Sequence, residues 1–252
     1  MFITGTDTGV GKTLVTAALA QCLKHRQISV GVMKPVETGY VAHNADQSDA
    51  GRLSKAAGMT EPLARVCPYR FPVPLAPLAA ARLAGSTISL ARIVTAFRRL
   101  SARHTLMLVE GAGGIRVPIS AHADIIDLIK RLKLPVVVVG RAALGGVNHM
   151  LLTIETLRRH HISLAAVVLN QTAPVGRKPI PRLQVTSTVA LLKERICAPV
   201  IGPLPYQPLV QQSWEQGLAT VARSAAISEL ADVVLATASR TRAPLRSHRP
   251  PA

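Results

Sequence analysis

Gly5-Thr6-Asp7-Thr8-Gly9-Val10-Gly11-Lys12-Thr13 is the stretch on which the fold turns. The apolar run Phe2-Ile3-Thr4 leads into it, and a helical pattern over Lys12–His25 leaves it. Strand, glycine loop and helix in that order form the setting in which backbone N–H groups and a helix N-terminus surround a phosphate. Gly9 and Gly11 admit unusual dihedrals and close backbone approach. Lys12 is then placed to reach β- and γ-phosphates, and the Thr13 hydroxyl to ligate magnesium. The loop is one residue longer than the common pattern. Thr6 stands where the first glycine is usual, and Gly5 lies one residue further back.

Working outward, short apolar runs alternate with longer helical patterns. Strands are expected at Phe2–Thr4, Ser29–Met33, Thr105–Val109, Pro135–Val139, Leu164–Leu169 and Pro199–Ile201. Helices are expected at Lys12–His25, Gln47–Ala57, Leu90–Arg103, Ile125–Leu132, Val147–His160, Leu183–Arg195 and Ser224–Ala236. The strands are nearly all Val, Ile and Leu, which implies burial on both faces. Such alternation predicts an α/β, P-loop NTPase-type three-layer fold, with a mainly parallel central sheet and helices on both faces. Pro62–Pro77 and Thr172–Pro181 read as irregular. One domain is expected over residues 1–238, followed by a loose basic tail over 239–252 that carries Arg240, Arg242, Arg246 and Arg249.

Bulk composition narrows the class. The 252 residues are 48% hydrophobic and 17% charged, enough for one packed core and against wholesale disorder. Aromatics are 3%, so Ala, Val, Leu and Ile must build that core. The net charge is +17, with 30 Lys and Arg against 13 Asp and Glu. The basic residues are scattered, which fits an anionic substrate better than a nucleic-acid or membrane surface. Cys22, Cys67 and Cys197 have no metal-like spacing and read as thiols of a reducing compartment. The chain opens directly on a strand, and no apolar run reaches the ~20 residues that span a bilayer. A cytoplasmic protein is expected.

In open α/β sheets ligands sit beyond the carboxyl ends of the strands. Lys34-Pro35-Val36-Glu37-Thr38-Gly39 follows the second strand, and a lysine there can clamp the charge that develops in phosphoryl transfer. Asp49, at a helix start, can supply an oxygen to magnesium or simply favour the helix dipole. Val109-Glu110-Gly111-Ala112-Gly113-Gly114 places a carboxylate at the end of an apolar strand, where it is costly without a partner. Gly140–His149 is a glycine-rich turn opening a helix, able to receive a carboxylate on its N–H groups. His149 reads as a packing or capping residue. Asn170 follows the fifth strand and can both donate and accept, as an adenine edge or an ordinary turn requires.

These blocks together resemble those of the dethiobiotin synthases. The long loop ending Val-Gly-Lys-Thr, the Lys34–Gly39 block, Val109–Gly114, Leu144-Gly145-Gly146-Val147-Asn148-His149 and Asn170 stand in that family's order and spacing from Met1 to about Pro205. The resemblance implies that Gly9, Val10, Gly11, Lys12, Thr13 and Leu14 hold ATP, and that Asn170 and Pro205 frame the adenine. It implies magnesium on Thr13, Asp49 and Glu110. Thr8, Lys34, Thr38 and Gly113 would line the reacting region, with Lys12, Lys34 and Thr8 catalytic. Leu144, Gly145, Gly146 and Val147 would receive the carboxylate of 7,8-diaminononanoate. The family's chemistry is closure of a cyclic urea from that diamine and carbon dioxide, in a homodimer whose substrate lies at the subunit interface. The chain departs from the pattern at Glu37, where an uncharged residue is common, at Leu78, where a histidine is expected, and at Arg116, in a usually apolar or neutral position.

Three other readings share the phosphate loop. An amidoligase domain would normally need a glutaminase domain, for which 252 residues leave no room. A partitioning-type ATPase usually carries an extra lysine early in the loop, where Thr6, Asp7 and Thr8 stand. An inactive paralogue would bind nucleotide without turnover.

Overall fold

The computed structural model describes residues 1–176 and 179–242, and of these the side chains up to residue 240. Its strands are β1 (Phe2–Gly5), β2 (Val30–Met33), β3 (Val36–Thr38), β4 (Tyr69–Phe71), β5 (Leu106–Gly114), β6 (Pro118–Ser120), β7 (Ala123–Asp124), β8 (Val136–Arg141), β9 (Leu164–Asn170) and β10 (Val200–Leu204). Its helices are α1 (Lys12–His25), α2 (Asp49–Ala57), α3 (Leu63–Val66), α4 (Pro77–Leu83), α5 (Leu90–Ser101), α6 (Ile125–Leu132), α7 (Gly146–Arg159), α8 (Pro179–Arg195), α9 (Leu209–Gln212), α10 (Trp214–Ala222) and α11 (Ala225–Arg242).

Six strands form one sheet in the order β10-β9-β8-β1-β5-β2, and every pairing in it is parallel. The strand periodicity of two splits each valine run between two cores. Val137 and Val139 face the side packed by α1, α2, α10 and α11, whereas Val136 and Val138 face the side packed by α5, α6, α7 and α8. All four valines are fully buried. Burial of a valine contributes about 1.5–3 kcal/mol, so the double-faced strands anchor the domain. The three-layer expectation holds.

The differences are instructive. Glu110, Arg141 and Asn170 were expected just past their strands and instead lie within β5, β8 and β9. Pairing with β1 resumes beyond the glycines after a register shift, since Ile3 pairs with Glu110 and Gly5 with Gly114. Apolar periodicity cannot register pairing that proceeds without apolar side chains. The stretch Pro62–Pro77, expected to be irregular, contains α3, β4 and the first residue of α4. Val36–Thr38 and Tyr69–Phe71 make a second, two-stranded parallel sheet. Three-residue strands are too short for alternation to be read. Helix α8 starts at Pro179, four residues before the expected Leu183, because proline is tolerated in a first helical turn. Helices α9 and α10 were not expected. Helix α11 runs to Arg242, past the expected domain end at residue 238. Residues 243–252 of the expected tail, with Arg246 and Arg249, lie outside the described residues.

Candidate nucleotide site

The head of the sheet is built on two close approaches. Gly11 has φ +94°, and a Cβ there would stand 2.2 Å from Nδ2 of Asn170. Only glycine lets the loop lie against β9, and Asn170 then donates from Nδ2 to the carbonyl of Val10 at 3.0 Å. The donor expected to read an adenine edge is thus engaged on the loop itself. Lys12 folds back over the loop, its ammonium donating to the carbonyl of Asp7 at 2.9 Å. Burial lowers the pKa of Lys12 to about 8, although Glu110 acts in the opposite direction. A cation so poorly solvated gains much from an arriving polyanion.

Beneath the loop lies a charge triad in which Lys34 and Glu110 are buried and Asp49 is partly exposed. The Lys34 ammonium donates to Glu110 Oε1 at 2.5 Å and to Asp49 Oδ2 at 2.7 Å. Burial alone would lower the pKa of Lys34, but Glu110 and then Asp49 outweigh it and hold it above its ordinary value. Burial would raise that of Asp49, and Lys34 reverses this, keeping the carboxyl below its usual range. The Thr13 hydroxyl donates to the same Glu110 Oε1 at 3.0 Å. The second oxygen, Oε2, is buried without a hydrogen-bond partner. An orphaned carboxylate oxygen inside a sheet is costly, and a cation ligand relieves it. Thr13, Asp49 and Glu110 offer a hydroxyl and two carboxylates, a hard oxygen set that fits magnesium shared with phosphates. Among the described residues no group of three or more His, Cys, Asp or Glu forms a metal cage.

These residues border one cleft of about 710 Å³. From the loop and α1 come Thr8, Gly9, Gly11, Lys12, Thr13 and Leu14; from the second and third strands and their connection, Lys34 and Thr38; from α2, Asp49; from β5, Gly113; from β9, Asn170; and after β10, Pro205. Val10 lies buried below the loop, and Glu110 lies below the floor, touching Lys34 and Thr13. The turn Leu144–Val147 is not brought to this cleft. Leu144 is 81% exposed, two residues before α7 begins.

Two of the three departures find a local partner. Glu37 accepts from the backbone N–H groups of Asp49 and Ala50 at 2.7 and 3.1 Å. Arg116 pairs with Asp124 at 3.1 Å and does not border the cleft. Leu78 is half-buried in α4; nothing in the structure explains why it replaces a histidine.

Sequence reading missed Arg52, Tyr206, Gln207 and Trp214, all on the cleft wall. Arg52 follows Asp49 by three residues on α2, a spacing that puts both on one helix face and could have signalled it. Its guanidinium lies over the Trp214 ring, 4.3 Å from the centroid. Trp214 sits on the unforeseen α10 and is the chain's sole tryptophan. Tryptophan emission, excited selectively, therefore reports on this wall alone. Titration with ADP is expected to change Trp214 emission saturably, and Arg52→Ala to alter the starting spectrum. Emission indifferent to nucleotide would place the base away from α10.

The parallel sheet, the glycine loop feeding α1 and the Lys12–Thr13–Glu110 cluster define a P-loop nucleotide-binding α/β protein. A family model described as an AAA domain matches residues 1–213. Solved structures of the same fold include the MinC:MinD cell division protein complex of Aquifex aeolicus, with TM-score 0.56 and 15% identity over 98% of both chains. Another is apo McdA of Cyanothece, with TM-score 0.54 and 15% identity over 93% of this chain and 98% of that one. At these identities the likeness is one of fold. Sequence relatives are more particular. The ATP-dependent dethiobiotin synthetase BioD of Anaeromyxobacter dehalogenans (strain 2CP-1) is 45% identical over 225 residues, 89% of this chain and 94% of its own. That of Bacillus cereus (strain B4264) is 38% identical over 205 residues, 81% and 82% of the two chains. The chain belongs to the ATP-dependent dethiobiotin synthetase family.

Proposed function

We propose that the cleft carries out ATP-dependent closure of 7,8-diaminononanoate and carbon dioxide to dethiobiotin in biotin biosynthesis, a ligation that forms C–N bonds. The observation that carries this reading is the convergence of Lys12, Lys34, Thr13 and Glu110 at the glycine loop, in a chain 45% identical to dethiobiotin synthetases.

One amine of the diamine takes up carbon dioxide as a carbamate. A carbamate oxygen attacks the γ-phosphorus, ADP leaves, and a carbamic–phosphoric anhydride forms. The second amine attacks the anhydride carbonyl, inorganic phosphate departs, and the five-membered urea closes. Such transfer needs positioning and positive charge more than a covalent nucleophile. Lys12 and Lys34 bring two ammonium groups to one wall, and Thr8 and Thr38 supply hydroxyls beside them. Gly113, at φ +63°, leaves backbone exposed to the reacting groups. Asn170 and Pro205 line the same cleft and are read as framing the base. Magnesium, held by Thr13, Asp49 and Glu110, would neutralise phosphate charge when bound.

The turn Leu144–Val147 is read as the site of the substrate carboxylate. Its place outside the lining of its own chain's cleft supports a homodimer in which it serves the cleft of a second copy. Nucleic acid and membrane are not read as partners. No helix among the described residues is long and apolar enough to cross a bilayer. The fold-level likeness to MinD keeps a switch ATPase as the reading to test against.

The decisive assay is phosphate release from ATP with magnesium and bicarbonate, with and without the diamine, with the product identified by mass. Diamine-dependent release with a ureido product is the expected result. Turnover indifferent to the diamine would instead support a switch ATPase, and no turnover an inactive paralogue. Glu110→Gln is expected to raise the magnesium concentration for half-maximal turnover. An unchanged magnesium response would remove Glu110 from the metal site.

A further inference from the structure

We propose that Glu37 is a positioning residue of this cleft, holding the first turn of α2 so that Asp49 presents its carboxylate to the Lys34 ammonium that Glu110 also binds. The proposal rests on the reading of Asp49 as a metal-facing group. Glu37 lies in β3, three residues after Lys34, and is 6% exposed. Its Oε1 accepts the N–H of Asp49 and its Oε2 that of Ala50. A helix start leaves four N–H groups unpaired, and a local residue usually caps one of them. Here Ser48 already does so, accepting the N–H of Gly51 at 3.0 Å. A second cap, brought from a different strand at the cost of a buried carboxylate, does more than end a helix.

What it fixes is the backbone of Asp49. Glu37 bonds the main chain of the very residue whose side chain accepts from Lys34 at 2.7 Å. The five residues Lys34–Thr38 therefore carry the ammonium that Asp49 meets, the carboxylate that holds Asp49 in place and the Thr38 hydroxyl. Helix α2 cannot rotate or slide against β3 without breaking both Glu37 bonds. Groups that orient a ligand from behind tune metal affinity about 10–100-fold, although they never touch the ion.

The test measures binding of Mn2+, as a magnesium probe, to the full chain with ADP, reading free Mn2+ by electron paramagnetic resonance. Glu37→Ala is expected to weaken Mn2+ binding about tenfold and to speed amide exchange at Asp49 and Ala50. Glu37→Gln keeps one acceptor oxygen and is expected to recover part of the affinity; it also serves should Glu37→Ala fail to fold. Asp49→Ala is the control. If it loses Mn2+ while both Glu37 variants bind as tightly as the parent, Glu37 is only a helix cap and the proposal falls. If Asp49→Ala itself binds Mn2+ normally, Asp49 is no ligand, and both that reading and the role assigned to Glu37 fall.

Discussion

Lys12→Ala is expected to lower ATP turnover by at least about 10²–10³-fold while leaving the folded state intact. The ammonium is the loop's one side-chain cation. It is held to the loop by the Asp7 carbonyl. Stability should respond differently. Burial has brought the pKa of Lys12 down to about 8, so at neutral pH the protein holds a charge that water would solvate better. A shift of that size corresponds to roughly 3 kcal/mol of unfavourable energy, partly recoverable by deleting the group. The nucleotide-free variant should therefore melt no lower than the parent. Calorimetry beside a phosphate-release assay separates the two effects. Surviving turnover would mean that the loop does not bind the reacting phosphates, and a collapsed melting temperature would mean that Lys12 is a structural strut.

Lys34→Met should have the opposite balance, with a large loss of stability added to the loss of turnover. Lys34 sits between two carboxylates, one of them fully buried. Removing the cation leaves Glu110 charged inside the sheet, with Thr13 its one remaining donor. Breaking such a pair from one side costs about 3–5 kcal/mol, since the stranded charge keeps its desolvation penalty. Denaturant unfolding without nucleotide measures it. Magnesium with ADP should return part of the stability by supplying the missing positive charge. The double variant Lys34→Met with Glu110→Gln should return more, because the fully buried carboxylate is then replaced by a neutral amide. A single variant as stable as the parent would show that the triad contributes nothing to folding.

Much of the site was legible because its chemistry is local in sequence. Gly5–Thr13 needs only the strand before it and the helix after it, and both lie where periodicity put them. Glu110 was legible as an isolated carboxylate after an apolar run, even though β5 continues past it. Asp49 was ambiguous from sequence, since a helix-start aspartate is ordinary; its contact with Lys34 depends on α2 crossing over β2 and β3. Glu37 looked like a departure without a cause because its partners are backbone N–H groups, which carry no residue signature. Trp214 and Arg52 were missed for a related reason. Their contact joins α10 to α2 across about 160 residues, and stacking leaves no spacing to read.

The doubly buried valine strands, the parallel three-layer architecture and the glycine loop with its lysine and threonine were all set by the order of residues along the chain. These follow from periodicity, chain-local geometry and the cost of exposing apolar surface. How charge is distributed at the head of the sheet was settled instead by contacts between distant segments. Lys34 joins Asp49 to Glu110, Glu37 holds the backbone of α2, and Asn170 secures the loop rather than standing free. Burial and hydrogen bonding between segments far apart in the chain set those pairings, and both depend on which strands lie side by side.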